Sequence, residues 1–401
     1  MATLISLADA VTRVQTEIGG RTLMLETGVI GKQAGAAVMA HYAGSTVLAT
    51  VVRAKPREGI DFFPLTVDYR EKTPAAGKFP GGFKKREGPP SEKEILTMRM
   101  IDRPIRPLFP DGFLDEVLIQ VMVLSHDTEN DTDVLACTAA NAALALSDIP
   151  FEGPTATVRV ARIHTDDGPK FVVNPTVSQM DYSDLDIVLA GHKDGLNMIE
   201  VGAAEVGDSD VLAGLEFGFE NIKTTLALIG ELVAKCGKPK VQGELHLPSA
   251  EVTAKVLEVA EKEMTAARKI KGKKDRSLAV DALRTKVLDG HFQLNTAGNY
   301  GDYLVSLKNR NDAKDAYRRL EEKITRRLIV QQQSRADGRG PLDIRPIGGA
   351  VGIFARTHGS ALFQRGETQS LVTVTLGTGK DEQIIDGLLP EYSKKLSLIH
   401  I

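Results

Sequence analysis

Between Lys78 and Arg106 the chain sets eight basic side chains (Lys78, Lys84, Lys85, Arg86, Lys93, Arg99, Arg103 and Arg106) against four acids, although the 401-residue chain as a whole has a formal net charge of −3. Cations flanked by glycines (Gly81, Gly82, Gly88) and joined by one aromatic, Phe83, suit the gripping of an anionic polymer, with the ring offering a stacking face. Adjacent cations on a glycine-flanked loop hold phosphates but are poor at the fixed geometry that reading base edges demands, so Lys85 and Arg86 are expected to bind backbone without sequence preference. A solvated loop and helix is the plainer account of such a cluster. Against it, Arg99, Arg103 and Arg106 adjoin apolar Ile101, Ile105, Leu108 and Phe109, where uncompensated charge is costly; these arginines are expected to meet acids or phosphates.

Other chemistries find less support. There is no Walker loop, and no Gly-x-Gly-x-x-Gly follows a strand-like run. The acidic run Asp127-Thr-Glu-Asn-Asp-Thr-Asp133 resembles a calcium loop superficially, but Thr132 stands where that loop needs glycine and Thr138 where it needs its bidentate glutamate. Helix capping by Asn130 or Asp131 is the better account. Cys137 and Cys236 are too few for a disulfide framework and read as small buried side chains, which fits a reducing cytoplasm. No basic flank with a long apolar run opens the chain, and no stretch approaches eighteen uninterrupted apolar residues, so neither export nor membrane spanning is expected.

The elements that must position the basic stretch follow from its own punctuation. Pro80, the paired glycines, Gly88 and Pro89-Pro90 forbid regular structure before Ser91, whereas Ser91 with Glu94 forms a capping box. A helix is expected from Glu92 to near Asp102, where Pro104 should end it, with Arg99 and Arg103 on one face. Before it, Thr22–Leu25, Ala36–Tyr42, Thr46–Val52 and Phe62–Val67 read as strands; after it come a buried strand, Glu116–Leu124, and a buried alanine-rich helix, Asp133–Leu146. Strands at Thr155–Arg162, Lys170–Val173, Leu185–Ala190 and Asn197–Val201 and a helix over Asp208–Lys235 complete an α+β domain.

From Ser249 to Val330 the composition shifts to charged helix formers with apolar residues at helical spacing, which predicts a helical insert. Its cluster Arg268, Lys269, Lys271, Lys273, Lys274 and Arg276 is read as a solvated inter-helix loop in preference to an RNA contact. Beyond Arg339 the β pattern returns, and Gln33–Val52 superimposes without gaps on Arg356–Thr375, pairing Leu48 with Leu371, Thr50 with Thr373 and Val51 with Val374. The chain therefore carries a repeat.

Pro80-Gly-Gly-Phe83, Arg86-Glu-Gly88, Pro90-Ser-Glu92 and Ile101-Asp-Arg-Pro-Ile-Arg-Pro-Leu-Phe-Pro110 closely resemble the bacterial polynucleotide phosphorylase family, and the likeness runs from about Thr22 through Tyr392. The resemblance implies an RNase PH-like domain (1–240), an all-helical linker domain (241–330) and the first strands of a second RNase PH-like domain (331–401). It implies processive 3′-to-5′ degradation of single-stranded RNA by inorganic phosphate, releasing nucleoside diphosphates with Mg2+ assisting, in a cytoplasmic homotrimer that can join an RNA-degradation complex. By the same resemblance Phe83, Lys84, Lys85, Arg86, Arg99, Arg103 and Arg106 are the RNA-binding residues, and Gly366, Glu367, Thr368 and Gln369 lie near the active site.

In two places the chain departs from that family. Lys84 replaces a second aromatic of the family's loop and Pro89 its last arginine, which shifts RNA binding from stacking toward charge. Leu396–Ile401 does not match the family pattern, and the serine-rich phosphate turn, the metal-binding aspartates and a lysine are expected beyond residue 401. The chain is read as ending within the second domain, without catalytic or metal ligands of its own and without phosphorolytic activity alone; the alternative is a non-catalytic RNA-binding scaffold of the same fold.

Overall fold

A computed structural model of the chain describes residues 11–57, 60, 62–81 and 85–395. It divides into two compact units, Met1–Leu245 with Gln383–Ile401, and His246–Glu382.

The first unit opens with β1 (Thr12–Ile18), β2 (Arg21–Thr27), β3 (Ala36–Tyr42), β4 (Ser45–Ala54) and β5 (Leu65–Glu71), then α1 (Glu92–Ile105), β6 (Glu116–Ser125) and α2 (Thr132–Leu146). The six strands form one sheet in the order β1-β2-β3-β4-β6-β5, antiparallel except for β5 beside β6. The strand expected at Phe62–Val67 lies later, at Leu65–Glu71, because Pro64 has no N–H to give a ladder. β6 is half-buried and not buried throughout: Val117, Ile119, Val121 and Val123 face the core, while Leu118 and Leu124 are exposed. Its alternation is that of a sheet with one covered face.

Next come β7 (Ala156–Thr165), β8 (Gly168–Val173), the short α3 (Val177–Met180), β9 (Ser183–His192), β10 (Gly195–Ala203) and α4 (Asp208–Cys236). They supply a second sheet ordered β10-β9-β7-β8. Every residue of α2 is buried, and its alanines let strands approach on several sides. Its buried amide, Asn141, is satisfied, donating to the Cys137 carbonyl and accepting from the Thr155 amide and hydroxyl. Of the two cysteines Cys137 is buried as expected, but Cys236 is exposed, because α4 ends there and its last turn leaves the core.

α4 approaches the second sheet through glycine. A Cβ on buried Gly218 would lie 2.7 Å from both methyls of Leu189 and 3.0 Å from Val160 Cγ2, whereas one on Gly230 of the same helix would meet nothing within 4 Å. Gly218→Ala is therefore expected to cost about 1–3 kcal/mol by overpacking, and Gly230→Ala to stabilise by about 0.5–1 kcal/mol through helix propensity. Urea unfolding of the two variants checks this. Equal stabilisation of both would show that α4 moves freely away from the sheet.

The second unit contains α5 (Ala250–Ala267), α6 (Lys273–His291) and α7 (Tyr300–Gln332), packed around Val256, Met264, Val287, Tyr317 and Ile324, followed by β11 (Ile347–Val351), β12 (Gly359–Arg365) and β13 (Thr368–Val374) in one antiparallel sheet. The repeat is present in the backbone. Ala36 pairs with Val51 and Tyr42 with Ser45 in the β3–β4 hairpin, and the counterparts Gly359 with Val374 and Arg365 with Thr368 pair in β12–β13. The turns agree too: Ala43 has φ +50° and Gly366 +63°, left-handed values that two-residue hairpin turns require.

Among the described residues no helix is long and apolar enough to cross a membrane. The architecture is α+β, a mixed sheet-and-helix domain followed by a helical region and further strands.

Candidate nucleic-acid interface

The helix that carries the arginines begins as its sequence dictates. Ser91 Oγ accepts from the Glu94 amide at 3.2 Å and Glu94 Oε2 from the Ser91 amide at 2.6 Å, closing the capping box. The expected stop near Asp102 is wrong: α1 runs to Ile105 with Pro104 inside its last turn. Only the Met100 carbonyl loses a donor there, and the Pro104 carbonyl gains one from Asn197 Nδ2 at 2.8 Å, so proline in the final turn removes a single helix bond.

The three arginines meet different fates. Arg103 pairs with Glu200 of β10. Arg106 is held by Asp102 at 2.6 Å, by the Phe63 and Leu65 carbonyls, and over the Phe63 ring. Arg99 is exposed and has no ion pair or hydrogen bond among the described residues. Lys85 and Arg86 are likewise exposed and unpaired among the described residues, and Lys85 has φ +46°, in the region that favours glycine. Phe83 and Lys84 lie outside the described residues.

Both stems of this loop are pinned. On the outgoing side Glu87 pairs with Lys72 at 2.5 Å. On the incoming side Lys78 Nζ donates to the Gly387 and Leu389 carbonyls at 2.9 and 2.6 Å and faces Asp386 at 3.6 Å. Those acceptors belong to a hairpin of β14 (Gln383–Ile385) and β15 (Tyr392–Lys394). Its Leu388 is 2% exposed within the core of the first unit, and its Lys394 reaches Glu92 at 3.0 Å.

Leu388→Asp should eject this hairpin from the core and free the Lys78 stem. The expected result is faster tryptic cleavage after Lys85 and Arg86 with the thermal transition of the remaining domain retained. An unchanged cleavage rate would show that the loop is held without the hairpin.

Lys93 of α1 belongs to a partly buried ionic cluster in which Asp133 is the buried member. Lys93 contacts Asp131 at 2.9 Å and Glu71 at 3.1 Å, and Arg159 contacts Asp186 at 3.0 Å and Asp133 at 3.1 Å. Burial opposes the charge on Lys93, but Asp131, Glu71 and Asp133 outweigh it and hold its pKa above the usual lysine value. Burial raises Asp133 above the ordinary carboxylate range despite Arg159; for Asp131 the same penalty is overcome by Lys93 and Arg159, which hold it below. Asp131 is also the N-cap of α2, accepting from the Thr132 amide. Of the two capping candidates, Asp131 takes the role.

Sequence reasoning did not find Arg159 or Leu388. Arg159 sits at an alternating strand position that looks solvent-facing, and Leu388 in a short Gly-Leu-Leu-Pro turn; neither carries a local signal.

In the second unit Gly366 and Glu367 form the β12–β13 turn, and Thr368 and Gln369 open β13. The Gly366 amide donates to the Pro346 carbonyl at 2.8 Å, Gln369 Nε2 donates to Gln364 Oε1 at 2.9 Å, and Glu367 and Thr368 are exposed. Among the described residues no three His, Cys, Asp or Glu side chains gather as a metal-holding group. The residues described do not form a magnesium site.

Residues 19–150 match the 3′ exoribonuclease family, domain 1; residues 153–221 match domain 2 of that family; and residues 251–340 match the polyribonucleotide nucleotidyltransferase RNA binding domain. The chain is 45% identical over 389 residues to a polyribonucleotide nucleotidyltransferase of Parvibaculum lavamentivorans and 46% identical over 389 residues to that of Xanthobacter autotrophicus, in each case across 97% of this chain and 52% of the relative. Against the Bacillus cytotoxicus protein of the same name it is 43% identical over 379 residues, 94% of this chain and 52% of the relative. The chain thus spans about half the length of the curated relatives it matches.

Proposed function

This chain belongs to the 3′ exoribonuclease family, with the domain set of a polyribonucleotide nucleotidyltransferase, and on that premise we propose that it works in the phosphorolytic 3′-to-5′ degradation of RNA. Its α+β fold is an RNase PH-like domain followed by a helical region and strands. The basic loop and α1 grip the single-stranded substrate. The observation that carries this reading is that Lys85, Arg86 and Arg99 are exposed cations without acids among the described residues on a fold of this family, so their charge is available to phosphates. Phe83 and Lys84 join them by the family resemblance. Arg103 and Arg106, already engaged by Glu200 and Asp102, contribute by fixing α1 and meet RNA by exchanging those partners.

In this reading residues 1–240 form the first RNase PH-like domain, 241–330 the helical linker, and 331–401 part of the second, whose Gly366–Gln369 segment lies near the active site. Inorganic phosphate is the attacking co-substrate and nucleoside diphosphates leave; in-line transfer of this kind depends on the polymer being held in register. Homotrimer assembly, membership of an RNA-degradation complex and a cytoplasmic location belong to the same family reading.

The test is binding of labelled oligoadenylate, alone and as a duplex of equal length, followed by incubation with phosphate and Mg2+. Preferential binding of the single strand is expected, and absence of binding would overturn the reading. Release of ADP supports a catalytic role; binding without release favours the RNA-binding scaffold.

A further inference from the structure

Phe79 is 87% exposed, more than any other aromatic side chain among the described residues. A lone exposed ring is ordinary on a protein surface, but this one is held outward by a fixed backbone. Before it, Lys78 Nζ donates to the Gly387 and Leu389 carbonyls and the Lys78 amide to the Thr73 carbonyl at 3.2 Å. After it, Pro80 restricts Phe79 to extended backbone. One residue further, a Cβ on Gly81 would lie 3.2 Å from Asp386 Oδ2. The β14–β15 hairpin therefore touches the chain on both sides of Phe79 and leaves the ring itself in solvent, although covering it would have buried apolar area favourably.

The surroundings say what fits such a ring. Lys85 and Arg86, exposed and unpaired among the described residues, follow six and seven positions later. Six residues reach at most about 20 Å even when fully extended, so the ring and the open cations can serve one strand. A second copy of this chain would bring the same cations against these and be repelled. A polyanion that carries flat apolar faces satisfies charge and ring together, and single-stranded RNA has that chemistry.

We propose that Phe79 is a stacking residue for single-stranded RNA, its ring lying against a base of the strand whose phosphates Lys85 and Arg86 hold. The inference rests on the RNA-degrading reading and deepens it by giving the site a residue that distinguishes single strands. Every base has a flat face, so the contact does not select sequence. Bases in a duplex are already stacked on one another and offer no face to the ring. Because the stem is fixed before RNA arrives, little ordering is lost when the base settles.

The chain contains no tryptophan, so Phe79→Trp gives it a single indole at the proposed contact. Its emission should be quenched by oligoadenylate and left unchanged by an abasic phosphodiester strand of equal length. Phe79→Leu, which keeps an apolar side chain, should bind oligoadenylate roughly tenfold more weakly, the loss of one stacked base. Its slope of log affinity on log salt and its affinity for the abasic strand should be unchanged, and Phe79→Trp should bind as the unaltered chain does. Indole emission indifferent to saturating oligoadenylate would overturn the proposal. Equal loss of both strands in Phe79→Leu would also overturn it, by showing that the ring only holds the loop. Emission that follows protein concentration and not RNA would make Phe79 a contact between copies of the chain, and overturn it as well. In each of these results the RNA reading stands if Lys85→Ala/Arg86→Ala still weakens binding. If the unaltered chain binds neither strand, that reading falls and the inference with it.

Discussion

Arg159→Met is expected to cost on the order of 3 kcal/mol of stability, because it removes the cation of a partly buried ionic cluster and leaves the buried Asp133 carboxylate behind. Arg159 faces Asp133, Asp186 and Asp131 at 3.1, 3.0 and 3.9 Å, and the Asp133 side chain is 7% exposed. Without the guanidinium, the Asp133 pKa should rise further above its ordinary value. An acid whose folded pKa is raised contributes stability at low pH that is lost as pH climbs toward the folded value. The penalty should accordingly be smaller at pH 5 than at pH 8, and Asp133→Asn should recover part of it in the Arg159→Met background. Urea unfolding of the single and double variants at both pH values measures this. A penalty indifferent to pH and not relieved by Asn would mean that Arg159 acts through packing of its stem.

Replacing Lys85 and Arg86 by alanine should weaken binding to all single-stranded RNAs alike and flatten the salt dependence by about 1.4, from about 0.7 per lost phosphate contact. Phe83→Ala should differ in kind, costing about 1–3 kcal/mol of stacking while leaving the salt slope nearly unchanged. Affinity titrations over a range of salt separate the two. Retention of both affinity and slope in the double variant would place the RNA path along Arg99 instead.

Much of this was legible in the sequence because it is local. The capping box at Ser91 and Glu94 is a three-residue spacing, β2, β3, β4 and β6 of the first sheet follow from short apolar or alternating runs, while β1 was not expected, and the β3–β4 hairpin repeats in β12–β13 with the same register. The misplaced end of α1 is also instructive. Proline's cost depends on where in a helix it falls, and in the last turn, with Asn197 supplying a donor nearby, the cost is small.

Partnership is different. The cations of the basic stretch look alike in sequence, yet Arg103 and Arg106 are engaged by Glu200 and Asp102, Lys93 is locked between Asp131 and Glu71, and Lys85, Arg86 and Arg99 stay open among the described residues. The sequence by itself determined where positive charge concentrates, which elements carry it and which family the chain resembles, since each depends on residue type and short spacing. Only the tertiary structure decided which charges are already neutralised, and that the hairpin around Leu388, near the other end of the chain, pins the loop's stem at Lys78. Ion pairing and burial depend on distances between segments that no local pattern encodes.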